Sequence, residues 1–427
     1  VSFLFPENQM YPNKTLTRLA FACWLAVVPL AMLATDPSWA QGNTTAPVNL
    51  KQAFDEAWLR QPEAQSLNQL REAAQARRDV AESWVAETPS LEAEANQGGE
   101  EYVAGVALPM WLPGERSRTG ALAQAESSAV NSRAAAAQLR TAAVVRSAWW
   151  SWQLARDDQV LAKKRFSNTQ RLAADVARRV NAGDLARADQ HQADGAAAMA
   201  EFALFESNSV LAATAQNLRA LTGYFPANQA VNSSEPLPVI PVDFSSLDAS
   251  HPAVRELFDQ AEVARRATDL AKAQSGSNPV LFIGTSRQPG DVSGTWNQSV
   301  NVGVSIPFGA SSRNKLRVAT AQAQAIETEG LWRLERERLV ASLDSARLRV
   351  EAARQQKTAA DKRARLARES RGFFEKSFRM GETDLPTRLR IELEAVEAER
   401  QAARIRIELA AAISDLRQSL GLLPAQN

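Results

Sequence analysis

Few side chains in this sequence are equipped for covalent chemistry. Cys23 is the single cysteine, and the two histidines, His191 and His251, stand far apart in the chain. No thiol nucleophile, disulfide framework or His-based metal cluster is therefore expected. No glycine-rich phosphate loop sits between a strand and a helix, so energy coupling must lie in a partner. What remains is a small set of carboxylates at positions where the backbone gives them meaning. Glu92 and Glu94 alternate with Leu91, Ala93 and Ala95, while Asp184, Glu382 and Asp384 lie just past Gly183 and Gly381, which close two long proline-free stretches. If several copies share an axis, each inward carboxylate becomes a ring, which favours cations and can hold a constriction. The plainer use of Asp184 and Asp384 is to cap the helices that follow, with Pro386 tolerated in a first turn. Neither an enzymatic centre nor a cofactor site is expected.

The elements that must hold these residues are legible from a duplication. Gln61-Pro62 answers His251-Pro252, and Pro89-Ser90-Leu91 answers Pro279-Val280-Leu281, at a shift of 190. Further on the shift is 198: Val106 to Pro109 answers Val304 to Pro307, Gly183 answers Gly381, and Leu218-Arg219 through Gly223 and Pro226 answers Leu416-Arg417 through Gly421 and Pro424. The change of shift falls between two strand-like segments, where a loop absorbs it. The first repeat is assigned to 41–226 and the second to 251–427. Between them, 227–250 carries Pro236, Pro238 and Pro241 and reads as a linker. Each copy predicts a helix (50–86, 250–274), two strands (90–97 and 101–109; 279–288 and 298–307), a long helix (116–180, 311–379), a glycine tip turn (181–184, 380–386) and a further helix.

The long helices carry a heptad seam, Leu339, Leu343, Ala346, Val350 and Ala353, which an ordinary coiled coil would share. Trp149, Trp150 and Trp152 are read as packing residues, and the Arg/Glu alternation at 333–338 as a solvated face. His191 and His251 are read as surface or helix-start residues. In the last strand Val300, Val302, Val304 and Ile306 face one way and Ser299, Asn301, Gly303 and Ser305 the other. The first strand alternates likewise. Tyr102, Trp111 and Trp296 suit the two membrane–water boundaries. Such alternation also fits a soluble sheet. In lipid, however, four strands cannot close on themselves and an open edge is not tolerated, so copies must combine. Two copies give an eight-stranded barrel whose interior fills; three give twelve strands and begin to leave a passage.

Charge and targeting agree with this picture. Lys plus Arg (49) balances Asp plus Glu (48), which removes the basic excess expected of a nucleic-acid binder. Lys14 and Arg18 lead into the apolar run 19–34 and the small-x-small site Ser38-Trp39-Ala40, so 1–40 reads as a secretory signal peptide; a membrane anchor is the alternative.

The duplication, strands and turns together resemble the TolC family of outer-membrane efflux proteins over essentially the whole mature chain. Short stretches are similar to its CzcC-like, cation-efflux branch: Leu108-Pro109-Met110-Trp111-Leu112-Pro113-Gly114-Glu115-Arg116, Val304 to Phe308 leading to Arg313-Asn314, and Ala182-Gly183-Asp184-Leu185-Ala186-Arg187-Ala188-Asp189. Gly381-Glu382-Thr383-Asp384-Leu385-Pro386 keeps the family's tip pattern in part. The resemblance implies a mostly helical fold with a small β part: a homotrimer forming a twelve-stranded barrel in outer-membrane lipid, continued by a long periplasmic α-helical barrel. It implies a passive duct working with a periplasmic adaptor (membrane fusion) protein and an inner-membrane pump of the RND type, with heavy-metal cations as cargo. Glu92 and Glu94 would then face the barrel lumen, and Asp184, Glu382 and Asp384 the periplasmic entrance. A non-inserting coiled-coil scaffold and a duct for small organic molecules are the alternatives.

Overall fold

The computed structural model describes residues 47–95, 101–227, 234–241, 250–274, 276–289, 294–308 and 311–425. The expected signal peptide, residues 1–40, lies outside the described residues, as does most of the linker. The described elements belong to one compact unit, Ala46–Asn427.

Among the described residues eleven elements follow in chain order: α1 Leu50–Leu59, α2 Pro62–Glu82, β1 Ser90–Ala95, β2 Tyr102–Pro109, α3 Glu115–Ala182, α4 Arg187–Thr222, α5 Pro252–Ala273, β3 Val280–Pro289, β4 Trp296–Ser305, α6 Ser311–Arg379 and α7 Leu385–Ser419. The expected helix over 50–86 is two helices. Pro62 has no N–H to continue α1 and holds Gln61 extended at φ −73°, ψ 138°, so the chain breaks there and restarts with proline in the first turn. Asn49 caps α1 by accepting from the Gln52 N–H at 2.9 Å. The last strand starts earlier and stops earlier than expected, since Pro307 cannot extend the ladder.

The 68 and 69 residues of α3 and α6 run about 100 Å each at 1.5 Å per residue. Neither holds an internal proline, and alanine fills their contact faces. Next to the sheet the helices lie in the order α2, α3, α5, α6; next to the glycine turns the order is α4, α3, α7, α6. The long helices therefore form the through-going members: α3 meets α2 and α5 at one end and α4 and α7 at the other, and α6 meets α5 and α7. The heptad seam of α6 is buried as the spacing requires, with Leu339, Leu343, Ala346 and Val350 packed on Ile413 and Leu416 of α7 and Val254 of α5. Trp149, Trp150 and Trp152 are buried with Leu50, Phe54, Val145, Leu218 and Ile407, joining α1, α3, α4 and α7. Two glycines at equivalent places, Gly223 (φ 87°) and Gly421 (φ 72°), end α4 and α7.

The four strands form one antiparallel sheet in the order β1-β2-β3-β4. Its central pair, β2 with β3, joins the two halves of the chain, leaving β1 and β4 as free edges. Among the described residues no helix is long and apolar enough to cross a membrane.

Candidate functional site

Register decides what each face of the sheet presents. Leu91 pairs with Val106, Val106 with Ile283 and Ile283 with Val302, so one face carries four apolar side chains in a row. The next row along it is Ala93, Ala104, Thr285 and Val300. Leu91 is 87% exposed and Val300 77%, while Val106 and Thr285 are half-buried between their neighbours and Thr285 accepts from the Gln298 amide at 3.1 Å. On the opposite face Glu92 shares a row with Gly105, Gly284 and Asn301, and Glu94 with Val103, Ser286 and Ser299. The Ser286 and Ser299 hydroxyls lie 3.0 Å apart. The sheet is thus oily on one side and wet on the other, with both expected carboxylates on the wet side.

The run 280–283, apolar throughout in sequence, resolves in the same way. Ile283 faces the oily side, whereas the Phe282 ring lies against Gly105 and Gly284. A Cβ on Gly105 would stand 2.5 Å from Phe282 Cζ, so the glycine pair is the bed of that ring. At the far end of the sheet the Tyr102 and Trp296 rings meet at a tilt of 48° with centroids 6.3 Å apart, and the Arg287 guanidinium lies 4.9 Å from the Trp296 ring. Trp111 sits at the other end, its indole N–H donating to the Ser83 carbonyl at 3.0 Å. Aromatic residues therefore bracket the oily band.

Below the sheet the strand-to-helix junctions are gathered by Glu115, which is 2% exposed. Its carboxylate accepts from Gln274 (2.7 Å), Asn278 (2.9 Å) and the Leu112 N–H (3.0 Å). The first and second halves are thereby locked together beneath β2 and β3. Sequence reading placed Glu115 in a motif without assigning it this task.

At the opposite end of the long helices the two tip turns are built alike. Gly183 (φ 86°) and Gly381 (φ 79°) are left-handed. Behind them the Asp184 N–H reaches the Arg179 carbonyl at 2.9 Å and the Glu382 N–H the Ser377 carbonyl at 3.0 Å, the paired bonds of a Schellman ending. Arg179 stitches the tips together, its guanidinium donating to the Phe378 carbonyl at 3.2 Å and covering the Phe378 ring. A core of Ala173, Val176, Ala193, Phe378 and Leu385 lies behind.

The three tip carboxylates all remain exposed, but they differ in use. Asp384 caps α7, accepting from the Thr387 N–H at 3.2 Å, and its hydrogen bonding to Thr387 holds its pKa below the usual aspartate value. Glu382 approaches the Ser377 hydroxyl at 3.5 Å. Asp184 does not cap the next helix as expected. That helix starts at Arg187, and Asp189 does the work by reaching back to the Ala186 N–H at 3.1 Å. The two turns have the same length, and Asp184 stands where Glu382 does, two residues before the cap position that Ala186 holds here and Asp384 holds in the second turn. Just behind the tips a cavity of about 400 Å³ is lined by Asp175, Arg371, Glu375, Arg388 and Glu392 among others. Arg388 and Glu392, nearly buried, pair at 3.0 Å, and Arg371 meets Glu399 at 3.2 Å.

A further charged centre escaped sequence reading. Glu235, in the linker, is 3% exposed and takes both Arg146 of α3 (2.9 and 3.0 Å) and Arg417 of α7 (3.0 Å). Burial pushes the Glu235 pKa up, but hydrogen bonds and charge from Arg146, with Ser414 and Arg417, outweigh it and hold the carboxyl below its ordinary value. His251, just before α5, is buried, and that burial lowers its pKa, partly offset by the Gln418 backbone. His191 is exposed. No group of three or more His, Cys, Asp or Glu able to hold a metal occurs among the described residues.

No family model matches the chain, and no curated protein matches its sequence. Solved structures do match in fold. CusC, described with transmembrane channel formation, superposes with a TM-score of 0.71 at 16% identity over 87% of this chain and 92% of that one. The CmeC outer membrane channel of Campylobacter jejuni gives 0.70 at 14% identity over 88% and 87%. The outer membrane protein VceC of Vibrio cholerae gives 0.69 at 16% identity over 87% and 96%. At such identities the likeness is one of fold.

Proposed function

We propose that this chain is the outer-membrane duct of a tripartite efflux system of the TolC type, acting as a homotrimer. The carrying observation is a sheet with two free edges, β1 and β4, and one uncovered oily face. In lipid such a sheet is stable only when its edges are paired, so β4 of one copy joins β1 of the next until the ring closes. Three copies supply twelve strands, enough for an open lumen. The helix order supports the same closure, since α2 and α4 lie on the β1 side of the layer and α6 on the β4 side.

In this reading the oily face meets lipid, the Tyr102–Trp296 end marks one interface, and Glu92 and Glu94 face the lumen. The helices continue the wall into the periplasm, where the tips narrow the path and meet an adaptor protein. Asp184 and Glu382, exposed and not committed to capping, supply rings of negative charge that favour cations at the mouth. The duct does no chemistry; an inner-membrane pump, of the RND type, supplies energy, and adaptor contacts shift the tips between closed and open arrangements. Heavy-metal cations are the proposed cargo, supported by the short CzcC-like stretches 108–116 and 182–189.

Purified protein in mild detergent should scatter light as a trimer and give cation-preferring channels in planar bilayers. A water-soluble monomer without conductance would end the proposal. Deleting the protein and scoring tolerance to metals and organic toxicants separately tests the cargo: sensitivity to organic compounds alone would remove metals.

A further inference from the structure

We infer that Arg287, beside Tyr102 and Trp296 at the far end of the sheet, is a binding site for the phosphate of a lipid head group in the leaflet farthest from the helices, one lipid on each copy. This rests on the membrane reading above and deepens it, by giving the oily face one specific lipid contact.

Register puts a full positive charge on the lipid side of the sheet. Ala95 pairs with Tyr102, Tyr102 with Arg287 and Arg287 with Gln298. This row lies two residues beyond that of Ala93, Ala104, Thr285 and Val300, and so belongs to the same oily face. The contacts of Trp296 with both the Tyr102 ring and the Arg287 guanidinium place all three on that side. Glu101, a carboxylate at the same end, is turned to the other face, where it accepts from Gln288 at 2.6 Å. Arg287 is exposed. Among the described residues its guanidinium has an aromatic neighbour and no hydrogen-bond acceptor.

Depth makes that arrangement costly. From Trp296 to Ile306 the chain advances ten residues, about 34 Å along the strand and about 25 Å upright at a barrel tilt of about 45°, which is the height of a lipid-facing band. Arg287 stands opposite Gln298, two residues inside Trp296, which sets its backbone about 5 Å below the boundary. A guanidinium there reaches head-group level by extending outwards past the rings. Left unpaired, it would hold five N–H donors without acceptors at the edge of the hydrocarbon. The polar neighbours on this face are already engaged with each other, since the Gln298 amide donates to Thr285 at 3.1 Å. Below the sheet, by contrast, Arg116 is satisfied by the Ala81 and Glu82 carbonyls.

The acceptor that the chain omits is one that the bilayer supplies. Phosphate oxygens match the planar fork of arginine and take its N–H groups in pairs, and a guanidinium held over an indole ring still offers its N–H edge. The aromatic residues thus hold the cation at the height where lipid phosphates lie, and the segregation of Glu101 to the wet face keeps a competing carboxylate away.

Native mass spectrometry of the full-length protein in detergent tests this. Titrated with diphosphorylated lipid A, each copy in the trimer should take up one molecule, with an affinity about tenfold above that for dephosphorylated lipid A of the same acyl chains, as one charge-assisted contact requires. Arg287→Gln should remove the preference and leave binding of the dephosphorylated lipid unchanged. Arg287→Lys, which keeps the charge and loses the fork, should retain part of it. Inorganic phosphate at the same concentration should not compete. Equal uptake of the two lipids by the unmutated protein, or a preference that survives in Arg287→Gln, overturns the inference while the trimer stands. Displacement by inorganic phosphate makes this a solute site and overturns the assignment to lipid. A protein that is monomeric in the same spectra removes the ring reading itself.

Discussion

Arg146, Glu235 and Arg417 lie buried or nearly so beside the tryptophan core, while Asp184, Glu382 and Asp384 stay wet in the tip turns at the far ends of the long helices. The first set is spent on fastening. Two guanidinium groups and a carboxylate taken out of water must satisfy one another, and they hold the linker, α3 and α7 in one arrangement. The second set keeps its field. An exposed carboxylate contributes little to stability, yet its charge acts across a water-filled mouth, where repetition by symmetry concentrates it. Chemically similar residues thus divide into fasteners and electrostatic lining according to burial alone.

The sharpest way to break that contrast is Glu235→Ala. It strands Arg146, 1% exposed, without its partner, and a cut buried pair costs about 3–5 kcal/mol. Thermal melting in detergent should shift far downward, and proteolysis should open the linker. A wild-type melt would mean that the clasp carries no load.

Acid titration comes next. His251, held neutral by burial, has a folded pKa below its ordinary 6.5. Its contribution is complete above 6.5 and declines as the pH falls from there toward the folded value. Glu235 has a folded pKa lowered from 4.5, so its contribution is present above 4.5 and is lost as the pH falls through the lowered value. Stability should therefore fall in two stages, with His251→Asn removing the upper and Glu235→Ala the lower. A single stage in both variants would contradict the assignment.

At the tips the expected effects shrink. Gly381→Ala must place a Cβ at φ 79° with nothing within 4 Å of it, so the cost is conformational alone, about 1–2 kcal/mol. Asp384→Ala removes the cap on α7 and should lower the melting temperature by less than Gly381→Ala. Asp184→Asn, which loses no cap, should leave the melt unchanged. In planar bilayers, however, Asp184→Asn with Glu382→Gln should lower cation preference, whereas Asp384→Asn should alter stability more than selectivity. Unchanged selectivity in the double variant would reduce the tip acids to turn residues.

Much of this architecture could be read residue by residue. Alternation at 299–306 gives a two-faced strand, the spacing of Leu339, Leu343, Ala346 and Val350 gives a seam, and Gly183 and Gly381 mark the turns, because each signal is local and periodic. Asp384 as a cap is equally local and correct in kind; Asp184 is not a cap, since it lies two residues before the cap position, which alanine fills in the first turn. Glu235 gave no signal. It stands in a proline-rich stretch that reads as connector, and its partners come from helices remote in the chain.

The amino-acid order alone determined the duplication, the breaks at proline and glycine, the helix and strand types and the two-faced strands, because these follow from backbone sterics and from spacing of 2 and about 3.6 residues. Only the tertiary structure decided which half pairs with which through β2 and β3, which charges are buried, and which helix stripes stay bare. Those outcomes depend on distance in space between residues far apart in sequence, and burial, which sets the worth of every charge and every apolar side chain, exists only once the chain has folded.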